Sequence, residues 1–407
     1  MSNEEVRVDC VQLTTNGRYV VTGSIQGPPQ VWDMKSGELI RVMQGDDLNS
    51  TDLHLANGDS YLVGQVADQS QAPYTRTNTY TPVPHATSYR KLQIWDFNSG
   101  KPLEMKSNEF CTASCMMNDG ERMIIGRTEK LGQGTTVVIW DILANEPIRH
   151  IFWPGFVGSF DDPLTYINLS KDNRYIIAGA QNSSDGTANY VMFDLTTTDF
   201  DRMPPNVISI NANVETTTIL ENQEAVTGTR SGDLVIWSLK TGKALRQLAA
   251  SSATNLAESA HQGEVTCVCL SKDGQYLVSS STDGSLKIWN MEQEKLQRTL
   301  IGHRDEVWCC TISNDNELVV SGSRDQTIRL WRVEDGGLMA SIQTGIDIFR
   351  VMLSNNKKTV VALADKFGAR KLVMLQVVRT KIKSSGGGSR ATSPMSTLAA
   401  SDVNYRF

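Results

Sequence analysis

Hydrophobic and polar residues alternate along most of the chain in runs of five to seven residues. The segments 318–322 (LVVSG) and 327–331 (TIRLW) are typical examples. Because successive side chains of a strand point to opposite faces, this alternation predicts β-strands rather than helices. No window has the length and the apolar face of a packed helix. The pattern therefore predicts an all-β fold.

Short polar turns interrupt these strands, and most of them contain Asn, Asp or Gly. Such residues tolerate positive φ angles, so the turns suit tight hairpins. One class of turn links the first strand of a unit to the second, at residues 15–18, 56–59, 118–121, 171–174, 272–275 and 314–317. A second class links the third strand to the fourth, at residues 35–37, 98–100 and 240–242. The sequence thus predicts a series of four-stranded antiparallel units.

Two intervals, from a His to an Asp and from that Asp to a Trp, recur in two neighbouring units. Asp325 follows His303 by 22 residues, and Trp331 follows Asp325 by 6. The same two intervals recur in His261, Asp283 and Trp289. The two tryptophans are 42 residues apart, within the period of about 40–45 residues of a four-stranded propeller blade.

Similar positions recur along the rest of the chain. Apolar runs end at Trp32-Asp33, Trp95-Asp96, Trp140-Asp141, Phe193-Asp194, Trp237-Ser238, Trp289-Asn290 and Trp331-Arg332, and Leu375 closes an eighth run. These residues resemble the WD40 repeat family. The resemblance implies a WD40 β-propeller of seven or eight four-stranded blades, formed as one domain by residues 1–383 with about eight repeat units.

The way in which the ring closes stays open. The first predicted strand begins close to Met1, so we expect residues 377–382 to supply the fourth strand of the last blade. A seven-bladed ring with an additional unit and a part of a longer two-propeller array are the alternatives.

The family pattern of His, Ser or Thr, Asp and Trp implies a structural network within a blade. A buried indole N–H needs an acceptor, a hydroxyl can relay the hydrogen bond, and the carboxylate can hold the imidazole ring. The resemblance assigns one network to His261, Ser280, Asp283 and Trp289. It assigns a second to His303, Ser321 or Ser323, Asp325 and Trp331.

The long connections all fall on one rim of the predicted propeller, which carries the turns between second and third strands and the links between blades. These connections are residues 68–89, 153–163, 181–189 and 250–260. Loops longer than about 12 residues are usually functional or disordered, and both interpretations stay open for residues 68–89. In the family, partners commonly engage this rim.

Carried over position by position, the resemblance implies partner-binding residues at the start of first strands and just before the tight-turn Asp. These residues are Arg230, Thr266, Thr282, Trp308, Arg324 and Phe349. Trp and Arg are enriched in interface hot spots. A second interpretation, in which Trp308 fills the space between blades, is equally compatible with the sequence.

Composition limits the remaining function classes. The chain has 407 residues and a formal net charge of −6, without the basic stripe that nucleic-acid binding needs. No apolar run approaches the ~18 residues that span a membrane, and the N-terminus lacks the features of a secretory signal. The seven cysteines lack zinc-type spacing, so we interpret them as reduced core thiols. We expect a soluble cytoplasmic protein, with a nuclear location and the oligomeric state left open.

Residues 384–407 are rich in Ser and Gly and carry few apolar side chains, which predicts a flexible C-terminal tail. Proline-directed phosphorylation of Ser393 and capture of the chain end at residues 405–407 by a PDZ-like partner are two minor hypotheses for this tail.

The sequence contains none of the catalytic motifs that would point to an enzyme. It lacks a phosphate-binding loop, a zinc-protease helix and a nucleophile elbow, and its five histidines are scattered. We therefore predict a protein–protein interaction scaffold without cofactor, metal site or catalytic residues. A further resemblance, carried by the worn early units and by residues 27–32, is to the C-terminal WD-repeat region of NACHT-and-WD-repeat proteins and implies a sensing or regulatory role. A substrate-receptor adaptor of a ubiquitin ligase is the alternative, and a propeller enzyme is a third.

Overall fold

The computed structural model describes residues 8–24, 27–45, 50–67, 90–106, 110–128, 135–153, 166–181, 188–196, 206–210, 216–220, 223–249, 259–366, 369–379 and 398–399. Within these residues the secondary structure consists of 33 strands without an α-helix, which confirms the all-β prediction. Nor does any helix long and apolar enough to cross a membrane occur in this part of the chain.

The strands form consecutive sheets, which we call blades 1 to 8 in chain order. Blades 1 to 4 contain β1 (Cys10–Leu13), β2 (Tyr19–Ser24), β3 (Gly27–Asp33), β4 (Leu39–Val42); β5 (Ser50–Ala56), β6 (Tyr61–Ala67), β7 (Arg90–Asp96), β8 (Phe110–Cys111); β9 (Ala113–Met116), β10 (Arg122–Thr128), β11 (Thr135–Asp141), β12 (Glu146–Trp153); and β13 (Tyr166–Leu169), β14 (Tyr175–Gln181), β15 (Ala188–Asp194), β16 (Asn206–Ile210).

Blades 5 to 8 contain β17 (Thr217–Ile219), β18 (Glu224–Gly228), β19 (Leu234–Ser238), β20 (Ala244–Leu248); β21 (Val265–Leu270), β22 (Tyr276–Ser281), β23 (Ser285–Asn290), β24 (Lys295–Ile301); β25 (Val307–Ile312), β26 (Leu318–Ser323), β27 (Thr327–Arg332), β28 (Leu338–Gln343); and β29 (Asp347–Leu353), β30 (Thr359–Lys366), β31 (Ala369–Gln376). A separate pair is formed by β32 (Val378–Arg379) and β33 (Leu398–Ala399). Within the described residues, seven blades thus have four strands and blade 8 has three.

Neighbouring strands of every blade run antiparallel, so each blade is a simple meander. The first strands of consecutive blades pack against one another along the whole series from β1 to β29. Each hydrophobic cluster combines side chains of two consecutive blades, as Ile124 of blade 3 does with Ile176 of blade 4. The core therefore lies between the blades.

Blade 8 packs on blade 1, and this contact closes the ring. Val11 and Val20 of blade 1 share one buried cluster with Val361 and Leu363 of blade 8. All four side chains are at most 1% exposed. Since a sheet with two apolar faces must cover both of them, the last blade covers the face that the first blade would otherwise expose.

Hydrogen bonds join the turns between first and second strands into a nearly continuous ring, which we call the turn belt. Its bonds are Thr15 N to Asp59 Oδ2 (2.8 Å), Asn57 N to Gly120 O (2.7 Å), Asn118 N to Asn173 Oδ1 (3.0 Å), Lys171 Nζ to Lys272 O (2.6 Å), Asn316 Nδ2 to Asp273 Oδ2 (2.6 Å), Asn314 Nδ2 to Asn355 Oδ1 (2.9 Å) and Asn355 Nδ2 to Thr15 O (3.2 Å). Lys171 connects blade 4 directly to blade 6, so this part of the belt spans blade 5, whose first turn contains residues 221–222 outside the described part.

Glycines near the ends of second strands let the next blade approach closely. A Cβ atom on Gly322 would lie 2.3 Å from Cγ2 of Ile348, and one on Gly228 would lie 2.4 Å from Cγ1 of Val265. Ile348 and Val265 both belong to the first strand of the following blade. These glycines therefore set the distance between adjacent blades rather than the shape of a turn.

The expectation of a fourth strand from residues 377–382 is wrong for the described part of that segment. The Val377 amide donates to the carbonyl of Lys358 at 2.7 Å, as the Val333 amide does to Glu317 in blade 7, but none of the described residues after Val377 pairs with β31. Val378 and Arg379 then pair with Ala399 and Leu398. Two residues of the predicted tail thus form a strand pair, while residues 380–397 and 400–407 lie outside the described residues.

The long connections predicted for the loop-rich rim also fall mostly outside the described part. This holds for residues 68–89, 154–163, 182–187 and 250–258. The predicted partner contacts of these loops therefore stay predictions.

The seven cysteines are free thiols, buried or partly buried. Burial raises the pKa of Cys115 and of Cys269 to about 11. A thiol with so high a pKa carries little thiolate at neutral pH, and the thiolate is the reactive form. Such residues act as small apolar groups in the core.

Replacing Gly322 by Ala should destabilise the protein by about 1–3 kcal/mol, because the new methyl group overpacks the junction of blades 7 and 8. Chemical denaturation followed by tryptophan fluorescence measures this loss. The matched control is Gly27→Ala, since a Cβ atom there meets nothing within 4 Å. A Gly322→Ala variant as stable as that control would contradict the close approach of the two blades.

Candidate functional site

The network of blade 7 connects β26, β27, the turn between them and the link from blade 6. Nδ1 of His303 lies 2.8 Å from Oδ2 of Asp325, and Nε2 lies 2.8 Å from Oγ of Ser321. The indole N–H of Trp331 donates to the same Ser321 oxygen at 2.9 Å. With a neutral imidazole, this geometry lets Nδ1 donate to the carboxylate and Nε2 accept the Ser321 hydroxyl. Ser321 is the relay, and Ser323 instead contacts the backbone carbonyl of Asp305 at 3.3 Å.

The network of blade 6 has the same geometry but uses a different serine from the predicted one. Nε2 of His261 lies 2.7 Å from Oγ of Ser279, which also accepts the indole N–H of Trp289 at 3.0 Å. Nδ1 of His261 lies 3.2 Å from Asp283 Oδ2. The assignment to Ser280 is wrong because neighbouring side chains of a strand point to opposite faces, and Ser280 bonds Thr266 on the other face.

The ionisable groups of the blade 7 network have shifted pKa values. Burial raises the pKa of Asp325, but hydrogen bonds from Thr327, from the Arg304 amide and from His303 outweigh it, so the pKa falls to about 2. Burial lowers the pKa of His303, and Asp325 opposes this effect only in part. The native state therefore holds an ionised Asp325 beside a neutral His303.

These networks share the connectivity of a hydrolase triad, with the carboxylate on Nδ1 and the hydroxyl on Nε2 of the histidine. Their chemistry is different because Ser321 and Ser279 have no exposed surface. Each serine oxygen also accepts an indole N–H. A substrate carbonyl has no access to such an oxygen, so the arrangement supports the blade rather than nucleophilic attack.

In other blades the indole N–H of the tryptophan has a different acceptor or none among the described residues. Trp32 donates to Thr22 Oγ1 at 2.9 Å and Trp95 donates to the carbonyl of Gln44 at 2.9 Å. Within the described residues, the buried indole nitrogens of Trp140 and Trp237 have no partner. Complete networks with His and Asp are formed in blades 6 and 7, while packing dominates in these other blades.

Two glutamates organise the predicted partner-binding residues at the rim opposite the turn belt. Oε2 of Glu306 accepts the indole N–H of Trp308 at 2.9 Å, and its Oε1 lies 3.4 Å from Nη1 of Arg324. One carboxylate thus fixes Trp308 and Arg324 side by side. Trp308 is partly buried, and 51% of the Arg324 side chain is exposed.

Glu264 occupies the same position one blade earlier. Its carboxylate lies 3.8 Å from Nε of Arg230, and its backbone carbonyl accepts the amide of Thr282 at 3.0 Å. The sequence reasoning missed both glutamates. The available signal was their common place three residues after His261 and His303, directly before a first strand.

Thr266 and Phe349 lie among inter-blade contacts rather than beside these pairs. The hydroxyl of Thr266 donates to the carbonyl of Val307, which joins blade 6 to blade 7. Phe349 packs against the buried cluster of blades 8 and 1. We call Arg230, Glu264, Thr282, Glu306, Trp308 and Arg324 the rim site.

A polar cluster between blades 2 and 3 contains the residue types of an acyl-transfer site. Oδ2 of Asp52 accepts the Ser114 hydroxyl at 2.7 Å and lies 3.3 Å from Nε2 of His54. The same His54 nitrogen lies 3.0 Å from Ser114 Oγ. Because Ser114 donates directly to the carboxylate and one imidazole nitrogen faces both groups, the histidine cannot relay a proton between them.

Burial raises the pKa of Asp52, but contacts with His54 and Ser114 outweigh it and hold the pKa below its usual range. Within the described residues, no group of three or more His, Cys, Asp and Glu side chains could hold a metal ion.

The comparison with protein families identifies two repeats. Residues 254–290 and 294–332 match the model of the WD domain, G-beta repeat. These ranges contain the two complete blade networks. The chain therefore contains WD40 repeats, which generally act as scaffolds for protein interaction.

Three curated proteins are similar to parts of the chain. Guanine nucleotide-binding protein subunit beta of Zea mays is 23% identical over 290 residues, which are 67% of each chain. Protein ROOT INITIATION DEFECTIVE 3 of Arabidopsis thaliana is 35% identical over 71 residues, which are 17% of this chain and 14% of that protein. The WD repeat-containing protein 3 homolog of Dictyostelium discoideum is 48% identical over 48 residues, which are 12% of this chain and 5% of that protein.

Among solved structures, the crystal structure of the computationally designed Ika8 protein is similar in fold. The TM-score is 0.61 at 20% identity, over 91% of this chain and 97% of that chain. This likeness and the ring of antiparallel sheets establish the β-propeller fold.

Ser279→Ala should lower the free energy of unfolding by about 2–3 kcal/mol, because it leaves buried polar atoms of His261 and Trp289 unpaired. The neighbouring Ser280→Ala loses one hydroxyl contact with Thr266, and we expect a loss of about 1 kcal/mol or less. Urea denaturation compares the two variants. A larger loss for Ser280→Ala would place the relay hydroxyl at the wrong residue.

Stability should fall on acidification in two steps. His303 has a lowered pKa in the folded state, so the unfolded chain binds more protons as the pH falls below about 6.5 and stability is lost from there downward. Asp325, with a folded pKa of about 2, contributes a further loss below about pH 4.

Urea denaturation at pH 7 and pH 5 measures the first step. His303→Gln lowers stability at both pH values but should reduce the difference between them. His150→Gln, at an exposed position of β12, is the matched control. An unchanged difference in the His303 variant would show that another group causes the step.

Proposed function

We propose that this protein is a non-enzymatic interaction scaffold that binds a segment of a partner protein at the rim site. The observation that carries the proposal is the placement of Trp308 and Arg324 on one shared carboxylate, Glu306. Trp and Arg dominate the energetics of interfaces when they are held in fixed positions. Binding then costs less side-chain conformational entropy, because Glu306 already restricts Trp308 and Arg324.

The rim site offers two kinds of contact close together. Trp308 provides a partly buried aromatic surface, and Arg324 provides an exposed guanidinium group. A suitable partner segment therefore carries an apolar side chain for the indole and a carboxylate that competes with Glu306 for the guanidinium. Arg230 repeats the cationic element on blade 5.

The two rims of the propeller differ in a way that supports this choice. The turns of the belt rim use their polar groups on one another, as Asn314 does with Asn355. The opposite rim carries the four long connections of the sequence and the exposed arginines. At that rim Arg324 keeps an exposed guanidinium group beside the indole of Trp308, which supports this rim as the place for a partner.

The name of one relative supports a role in protein assembly. The protein from Zea mays is named as a subunit of a guanine nucleotide-binding protein, so it works within an assembly. As a finer part of the same proposal, the resemblance to NACHT-and-WD-repeat proteins assigns the rim site a sensing or regulatory role in signalling. The partner in that case is a segment whose binding the propeller reports to an attached domain.

Trp308→Ala and Arg324→Glu should each weaken partner capture about ten-fold or more while the ring stays folded. Affinity purification with mass spectrometry identifies proteins that the intact chain retains, and titration with the best of them gives the affinities. Asp325→Ala should instead lower the melting temperature, because it breaks the blade 7 network.

Lys295→Glu, at an exposed position of β24, controls for the change in net charge. A variant that lacks residues 68–89 tests, in the same affinity purification, whether the long loop contributes to partner binding. Equal binding by Trp308→Ala, Arg324→Glu and the intact chain would refute the rim site. Recovery of ubiquitin-ligase subunits would favour the adaptor role.

A further inference from the structure

A cleft opens at the seam where blade 8 meets blade 1, on the belt side of the ring. It has a volume of about 800 Å³, which is within the usual range of sites for small ligands. Its walls are the first turn and the third-to-fourth turn of blade 1 and, across the seam, the first turn of blade 8 and the end of β31. We call it the seam cleft. It is remote from the rim site, which lies on the opposite rim.

The seam cleft is basic in an acidic protein. The described residues that line it include Arg18, Lys35, Lys357 and Lys358 and no acidic side chain, although the formal net charge of the chain is −6. Lys357 is engaged by Asp315 and Glu317 of blade 7. Arg18 shares the carboxylate of Asp33 at 3.5 Å and is 65% exposed.

Lys35 and Lys358 face the cleft from opposite walls. Among the described residues, neither ammonium group has an ion-pair partner, and both residues are exposed. Clustered like charges are unfavourable without a counter-charge, and concave basic surfaces concentrate anions. The arrangement therefore favours a ligand that bridges the two walls with negative groups.

Hydrogen bonds across the seam hold the walls at a fixed separation. Nδ2 of Asn356 donates to the carbonyl of Asn16 at 3.2 Å, and Nε2 of Gln376 donates to the carbonyl of Met34 at 3.2 Å. Met34 itself is 7% exposed and belongs to the buried cluster of the two blades. Because these bonds lie beside the cations, the cleft is already formed without ligand.

We propose that the seam cleft binds a compact polyanion with clustered phosphate groups, held by Lys35 and Arg18 on one wall and by Lys358 on the other. Clustered phosphates match cations that approach from two sides, and a ligand of this size suits the volume of the cleft better than an extended nucleic acid. Binding joins the first blade to the last and therefore stabilises the closed ring.

Isothermal titration calorimetry of the full chain with inositol hexakisphosphate tests the site, and inorganic tripolyphosphate serves as a second probe. We expect saturable binding that weakens as salt is added and a rise in melting temperature with probe concentration. Lys35→Glu and Lys358→Glu should each weaken binding about ten-fold. Lys295→Glu has the same change in charge on blade 6 and should leave binding unchanged.

Sedimentation with phosphatidylcholine vesicles that contain phosphatidylinositol 4,5-bisphosphate separates two sources of the phosphate cluster. Binding of the free probes alone indicates a soluble ligand, and additional binding to the vesicles indicates that a lipid headgroup also reaches the cleft. Absence of binding to every probe would overturn the proposal. Equal weakening by Lys295→Glu would do the same, since it would show a nonspecific charge effect.

Discussion

Closure of the ring is the constraint on which the rest of the structure depends. Each blade buries both faces against its neighbours, so an open series would leave one apolar face exposed at each end. In this chain the cluster around Val11 and Val361 covers those two faces. The turn belt adds polar bonds across the same seam, from Asn355 and Asn356 to the carbonyls of Thr15 and Asn16. In the described residues, closure thus comes from side-chain packing and turn contacts rather than from a shared strand within blade 8.

The blades within this ring are stabilised in different ways. Blades 6 and 7 have complete networks that fix a histidine, a serine, an aspartate and a tryptophan. Blades 3 and 5 keep the tryptophan, fully buried in blade 3 and partly buried in blade 5, and within the described residues its buried N–H has no partner. Since an unpaired buried donor is costly, these blades rely on the apolar area that they bury. Blade 7 also carries the contacts of Glu306 with Trp308 and Arg324, so one complete network lies next to the rim site.

The sequence predicted those features that depend on regular intervals. The spacing of His303, Asp325 and Trp331 located the network of blade 7, and the alternation of apolar residues located the strands. The relay serine of blade 6 was assigned to Ser280, although the interval of 10 residues between Ser321 and Trp331 recurs between Ser279 and Trp289 and was a signal for Ser279. In the structure, the imidazole of His261 contacts Ser279 on one face of the strand, and the hydroxyl of Thr266 contacts Ser280 on the other.

Features that join distant parts of the chain could not be predicted in this way. The seam cleft combines Lys35 with Lys358, and no periodic pattern marks two residues so far apart in sequence. Val378 and Arg379 pair with Ala399 and Leu398, and the turn pattern of residues 377–382 does not reveal that partner strand. Glu264 and Glu306 did have a signal in their equal distance from a histidine, and a search for polar residues at repeated positions would find them.

The route of the turn belt past blade 5 has a consequence for the dynamics of the ring. Lys171 spans from blade 4 to the carbonyls of Ser271 and Lys272 in blade 6, and blade 5 has a first strand of three residues. Amide hydrogens of blade 5 should exchange with solvent through local openings, while the bonds of Lys171 keep blades 4 and 6 connected. The least stable blade of the ring then lies in the middle of the chain, away from the contact between blade 8 and blade 1.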